Sequence, residues 1–439
     1  MKTVSFRTFG CRLNAYDTES IRALLGRNGW STISLKAEAD VYIVNTCSVT
    51  HQADARARKA IRRLKSEHPN SSIVVTGCYA QRAPQEIANI PGVSLIVGAA
   101  DRANIPEALD RINSDSLEIA VSPIEDAREF LEVPITEMME KSRALVKVQE
   151  GCNQACTFCI VPQTRGRSRS RRPEFVLGQI EKLVESGYSE IVLTGVHIGS
   201  YGIDLRDNET DLISLISHIL EIPGLARFRL SSIEPSSVSD ALIELMASES
   251  KFARHFHIPF QSGSNNILDL MKRGYTRDEF VKLITKIEKL IPGCGIGTDV
   301  IAGFPGESDE DFQETFDVIT DLPITYLHPF TYSMRPGSNA QVLGDTVSGD
   351  VKKRRTRSLK RLSQEKNLAF KKHHLDTIVD VLFEGDTRDG HCCTGYTDNF
   401  LRVSVDEEQT SRKIVACQVS GLNDLGLTGH PASNIDLLG

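Results

Sequence analysis

With 439 residues, 40% of them hydrophobic and 25% charged, the chain is too long for one ordinary core, and two or three domains are expected. It has no run of 18 apolar residues, and Met1-Lys-Thr-Val-Ser-Phe-Arg7 lacks the apolar centre of a secretory signal, so membrane classes are excluded and the cytoplasm is the expected compartment. A net charge of -7 excludes a uniformly nucleic-acid-coated surface, and ten cysteines in this context argue for metal ligation over a disulfide framework.

The chain opens with alternating strands and helices. Residues 2–9 alternate and are β-branched or aromatic, and 14–27 carry Ile21, Leu24 and Leu25 on one helical face ahead of Gly29. Strands follow at 41–46, 72–76 and 93–97, with a helix over 52–67. This is the rhythm of a doubly wound parallel sheet. In the second helix Ala57, Ile61 and Leu64 form the apolar stripe, which turns Arg56, Arg58, Lys59, Arg62, Arg63 and Lys65 outward. Cys11, Cys47 and Cys78 each stand just beyond the C-terminal end of a strand. In a parallel sheet those ends share one edge, where ligands bind, so the three thiols can converge; packing is the competing explanation of each alone.

Residues 122–141 are rich in Glu and Pro, without a period, and read as a linker. Beyond it, strands are expected at 144–149, 190–196, 227–232, 256–260, 297–301 and 326–331, with helices at 175–186, 240–247, 278–290 and 310–322. Six such units make a partial barrel whose catalytic face is the C-terminal end of the strands. The first strand runs into Glu150-Gly-Cys-Asn-Gln-Ala-Cys-Thr-Phe-Cys159, three cysteines at C-x3-C-x2-C. Three thiolates can hold a four-iron cluster and leave one iron open for chemistry; a closed zinc site would need a fourth nearby ligand, which Ile160, Val161 and Pro162 cannot supply. A second basic run follows at Arg165, Arg167, Arg169, Arg171 and Arg172, and a third at 352–361. Together the three runs point to an anionic substrate such as RNA. From residue 375 the pattern is all-β, with strands at 377–383, 393–397, 401–405 and 413–419 forming a small barrel. Eleven Asp and Glu against four Lys and Arg leave that region a local net charge of -7, so RNA gripping there would rest on Arg388, Tyr396, Phe400 and Arg402. Cys294, Cys392, Cys393 and Cys417 are expected to be structural.

The motifs Phe9-Gly-Cys-Arg-Leu-Asn14, Asn45-Thr-Cys-Ser-Val-Thr50, Gly77-Cys-Tyr-Ala-Gln81, Gly151-Cys-Asn153 and Cys159-Ile-Val-Pro-Gln-Thr-Arg-Gly166 resemble those of the radical S-adenosylmethionine (SAM) methylthiotransferases over nearly the whole chain. The resemblance implies an N-terminal cluster domain (1–121), a linker (122–141), a radical SAM domain (142–373) and a TRAM domain (374–439). It implies that Cys152, Cys156 and Cys159 hold the SAM-binding 4Fe-4S cluster and that Cys11, Cys47 and Cys78 hold an auxiliary 4Fe-4S cluster. One SAM would yield a radical that acts at adenine C2, and a second would methylate a sulfur on the auxiliary cluster. The segment 45–56 is most similar to the branch acting on N6-threonylcarbamoyladenosine beside the tRNA anticodon. Branches acting on isopentenyladenosine or on a ribosomal-protein aspartate are the alternatives, and a non-catalytic iron-sulfur carrier is the alternative of another class. SAM contacts are expected from strand ends, at Gly195, Val196, His197, Ser232, Glu234, Gln261, Thr298 and Asp299, and RNA contacts from Arg165, Arg169 and Arg171. The implied partners are a tRNA anticodon stem-loop, a reducing electron donor and a sulfur source, and the protein is expected to be a monomer.

Overall fold

The computed structural model describes residues 2–112, 116–139, 142–205, 210–386, 393–407, 409, 411–424 and 426–432. Its first unit is a six-stranded sheet in the order Trp30–Thr32, Lys2–Thr8, Val41–Thr46, Ser72–Gly77, Val93–Val97, Glu118–Ala120, with every pair parallel. The central strand Val41–Thr46 shows why the sheet is doubly covered. Val41 and Ile43 join one apolar cluster with Ile21 and Leu109, while Tyr42 and Val44 join another with Ile61 and Ile87. Two three-residue strands, Trp30–Thr32 and Glu118–Ala120, escaped the periodicity because three residues carry no measurable alternation. The helix His51–Glu67 buries Ala57, Ile61 and Leu64 as expected, and Thr50 caps it by accepting the Ala53 N–H at 3.1 Å.

The second unit is an open barrel wall. Ala144–Glu150, Glu190–Gly195 and Arg227–Leu230 pair in parallel, as do His255–His257, Gly295–Ala302 and Tyr326–Thr331. Between the two sets the ladder thins to a Phe228–Phe252 bridge and an Ile233 N–H to His257 O bond of 3.0 Å. Helices pack outside, and one of them, Gly349–Lys372, is a 24-residue element that the sequence showed only as a basic run. Leu359 and Leu362 are buried along it, and Lys352 and Arg355 also turn inward, Arg355 to Glu307 at 2.6 Å. Among the described residues no helix is long and apolar enough to cross a membrane.

The segment expected as a linker is a strap. Ile124, Val133, Ile135 and Met138 are buried, and the Ile135 and Met138 N–H groups donate to Gln179 Oε1 (2.9 Å) and Tyr188 Oη (2.8 Å). Four apolar residues at irregular spacing anchor it, so no period betrayed the contact. Residues 140 and 141, at its end, lie outside the described residues.

The C-terminal unit is a closed five-stranded barrel, Ile378–Asp386, Cys393–Tyr396, Arg402–Val405, Gly426–Pro431, Ile414–Asn423, in which Gly426–Pro431 is an additional strand. Its 396–400 loop floors the open barrel. Arg229 donates to Asp398 O at 2.7 Å and Thr397 O at 2.9 Å, and Arg227 to Tyr396 O at 3.2 Å. Tyr396 and Phe400 therefore face the neighbouring barrel, which takes them from the residues on which RNA gripping there would rest, and Arg402 donates to Thr394 Oγ1 at 3.3 Å. Arg388 and Cys392 lie outside the described residues. Cys294, Cys393 and Cys417 are buried, in keeping with packing roles.

Candidate active site

The strand Ala144–Glu150 delivers the Cys152 loop to the C-terminal face of the barrel. Gly151 has φ +74°, and a Cβ there would lie 1.9 Å from Arg167 O, so only glycine turns the chain this tightly. The Gln154 and Val161 N–H groups point at Cys152 Sγ and Cys159 Sγ, each at 3.4 Å, and Arg273 Nη1 lies 3.1 Å from Cys156 Sγ. Burial pushes the Cys159 thiol up to about 12, and the neighbouring Cys156 and Cys152 add to it. Three close thiols, held costly as free thiolates yet met by N–H donors, form a donor set suited to an iron-sulfur cluster.

The second cysteine set forms at the sheet edge. Gly10 has φ +102°, and a Cβ there would come within 2.7 Å of Cys47 Cβ, which seats the Cys11 loop on the Cys47 loop. Asn14 donates to Phe9 O (2.7 Å) and Thr46 O (3.0 Å), while Asn45 donates to Asn14 O (2.9 Å), so the asparagines of both motifs tie these loops together. Cys47 is pushed up to about 12 by burial, then by Cys78, with Cys11 also contributing. The three strand-end thiols thus converge, and they too fit a cluster through a thiolate donor set.

A cavity of about 220 Å³ separates the sets. Val49 and Thr50, just after Cys47, line one wall; Phe158, Cys159, Gln261, Asp299, Ile301 and Phe330 line the other. The walls are locked by buried Arg335, from the loop after the last barrel strand, whose Nη2 meets Ser48 Oγ at 3.0 Å and Asp54 Oδ2 at 2.5 Å.

The expected SAM residues divide. Gln261 (φ +68°) and Asp299 line the cavity, with the Gln261 N–H on Asp299 O at 2.8 Å. Glu234 pairs with Arg273, itself on Cys156, so this carboxylate stands at the cluster loop. Gly195 closes on Gln149, whose Oε1 accepts the His197 N–H at 2.8 Å; Val196 and Ser232 are half-buried. The His197 ring is buried, which lowers its pKa, and lies 3.4 Å from Ser237 Oγ. Thr298 does not reach the cavity. It is fully buried, its hydroxyl donating to Ile258 O at 2.7 Å and accepting the Phe260 N–H at 3.0 Å.

The arginines expected for RNA are also placed elsewhere. Arg165 donates to Glu150 Oε1 (2.6 Å), Asn14 Oδ1 (2.6 Å) and Asp17 Oδ2 (2.9 Å), and Arg171 donates to Glu132 Oε2 at 2.7 Å. Arg169 bonds the carbonyls of Arg165 and Arg167 at 3.2 Å each. All three are buried: Arg165 against carboxylates of sheet and barrel, Arg171 against Glu132 of the strap, and Arg169 among backbone carbonyls. Arg56, Lys59, Arg62 and Arg63 remain exposed, on a helix that begins at the cavity wall.

Arg273, Arg335 and the two histidines that flank the expected Asp299, His257 and His328, were missed. His257 Nε2 lies 2.9 Å from Asp299 Oδ1 and His328 Nδ1 3.4 Å from it. The alternation His255-Phe-His257 put both histidines on one strand face and was a readable signal; the arginines had none.

Three cysteines grouped on the mouth of a partial barrel are the mark of the radical SAM class, and the comparisons agree. The radical SAM superfamily pattern matches residues 146–319, and uncharacterized protein family UPF0004 matches 3–98. Threonylcarbamoyladenosine tRNA methylthiotransferase MtaB of Bacillus subtilis (strain 168) is 41% identical over 408 residues, covering 92% of this chain and 90% of its own. Its counterpart in Aquifex aeolicus is 40% identical over 368 residues, with 84% and 89% covered. The tRNA-2-methylthio-N(6)-dimethylallyladenosine synthase of Finegoldia magna is 34% identical, with 98% and 94% covered. The radical SAM methyltransferase TsrM of Kitasatospora setae superposes with a TM-score of 0.56 at 15% identity, over 75% of each chain, a likeness of fold. The chain belongs to the radical SAM methylthiotransferases. As a member of that superfamily it works with SAM and a 4Fe-4S cluster.

Proposed function

We propose that the protein adds a methylthio group to C2 of N6-threonylcarbamoyladenosine next to the tRNA anticodon, with Cys152, Cys156 and Cys159 holding one 4Fe-4S cluster and Cys11, Cys47 and Cys78 a second. One observation carries the reading: two separate three-cysteine sets flank a single cavity, Cys159 in one wall and the residues after Cys47 in the other. Two relatives at 40–41% identity bear the threonylcarbamoyladenosine name, and they support this substrate over the dimethylallyl one. When bound, the clusters supply an electron for SAM cleavage and a sulfur for transfer.

The chain's own residues do the positioning. Arg273 holds Glu234 and touches Cys156 Sγ, so a SAM amino group brought to Glu234 would lie beside the cysteine loop. Ile301, Phe330 and Tyr332 offer apolar surface for a purine and keep water from C2. Exposed Arg56, Lys59, Arg62 and Arg63 would track the phosphates of a stem-loop whose base enters the cavity. An electron donor and a sulfur source complete the proposed set of partners.

Nucleoside digestion and mass spectrometry of tRNA from a strain lacking the gene tests the reading. Loss of 2-methylthio-threonylcarbamoyladenosine, restored by the wild-type gene, is expected; an unchanged profile, or loss of the isopentenyl derivative instead, refutes the substrate.

A further inference from the structure

Below the cavity, the polarity of the barrel strands is graded by their register. Ile301 pairs with Phe330, Asp299 with His328 and Gly297 with Tyr326, and strand alternation places these three pairs on one face. Apolar residues thus stand at the mouth and polar ones beneath. Gly297 carries no side chain where a Cβ would lie 2.1 Å from Tyr326 Cζ, so the Tyr326 ring fills that space. Tyr326 Oη meets His255 Nε2 at 2.8 Å and His257 Nδ1 at 3.2 Å. Deeper still, the Tyr326 ring is 6.1 Å from Phe400, and the Arg12 guanidinium lies 6.0 Å from the Phe400 ring.

Arg12 stands out among the cations there. Arg229 is bound to Glu190 at 2.7 Å and Arg143 to Glu384 at 2.7 Å, whereas Arg12 has no hydrogen bond or ion pair to its side chain among the described residues. Arg143 and Arg229 stand over the same Phe400 ring, at 5.7 Å and 5.4 Å from its centre. A half-buried guanidinium with like charges beside it and no carboxylate of its own is costly unless an anion joins it.

We propose that Arg12 is an anion subsite at the base of the lumen and receives the substrate's threonyl carboxylate, making it a specificity-determining residue. The inference rests on the threonylcarbamoyladenosine reading. The base would lie against Ile301 and Phe330, the polar arm would pass Asp299 and His328, and the carboxylate would end on the guanidinium fork. A neutral isopentenyl arm would leave Arg12 unpaired, which disfavours that substrate.

The test uses reconstituted full-length protein and two anticodon stem-loop RNAs, one with threonylcarbamoyladenosine and one with its carboxylate converted to carboxamide. Wild type should lose about tenfold to a hundredfold in kcat/KM on the carboxamide, the scale of a hydrogen bond to a charged group. Arg12→Gln should lose as much on the carboxylate RNA and no longer distinguish the two; Arg12→Lys should recover part of the discrimination. Iron content and the visible cluster spectrum report whether each variant is assembled. Discrimination by Arg12→Gln equal to that of wild type overturns the proposal. If that variant fails to assemble, wild type alone decides: equal rates on both RNAs overturn the anion subsite and leave the substrate reading standing. A wild-type enzyme inactive on both refutes the substrate reading and this inference with it.

Discussion

Cys156 and Cys47 carry distinct expectations although both are cysteines in three-thiol sets. Cys156→Ala should abolish reductive release of 5'-deoxyadenosine from SAM, whereas Cys47→Ala should retain that release and lose methylthio transfer; chromatography of both products on one sample checks this. Arg165 is legible as a motif residue but not as what it is. Its fork closes on Asn14, Asp17 and Glu150 from two different units, and Arg102 and Lys147 pair the same two carboxylates, so Arg165→Ala removes buried charged hydrogen bonds while both carboxylates keep a cation. A loss of about 1.5–3 kcal/mol is expected in anaerobic denaturant unfolding. Were Arg165 an RNA ligand instead, affinity would fall with stability intact.

At the scale of elements, the helix His51–Glu67 was readable because its 3.6 period separates Ala57, Ile61 and Leu64 from the arginines. Lys59→Glu with Arg62→Glu should weaken stem-loop binding and flatten its salt dependence by about one unit of slope for each phosphate no longer neutralised, while the unfolding midpoint changes by less than about 0.5 kcal/mol per exposed site. Filter binding over a salt series measures it. The basic run at 352–361 was readable only in part. Lys353, Arg354, Arg357, Lys360 and Arg361 are exposed, but Lys352 and Arg355 serve Asp345 and Glu307, and charge alone does not tell an outward cation from a paired one. The 122–141 strap was missed for a related reason: packing against another unit needs no internal period.

Across the whole molecule, three units are joined by buried ion pairs and a shared barrel floor. Glu190 sits at that floor. Burial alone would raise its pKa, but Arg229 and Arg227 outweigh burial and hold it below the usual carboxylate range. A lowered folded pKa means that the unfolded chain binds more protons near pH 4, so the pair's stabilisation is complete above the unfolded carboxylate pKa and is lost as pH falls through the folded one. Glu190→Gln should be less stable than wild type at neutral pH, and the gap should narrow on acidification below about pH 4.3, measured by urea midpoints across pH. By itself the sequence determined the order of the units, both parallel-strand rhythms and the six strand-end or loop cysteines, because period and spacing are local properties of the chain. Only the tertiary structure decided which cations are free. Arg165 is consumed where sheet meets barrel, Arg171 by Glu132 of the strap and Arg169 by backbone carbonyls, Tyr396 and Phe400 are turned into a floor, and Arg12 is left facing the lumen, since pairing depends on which partners the fold brings near.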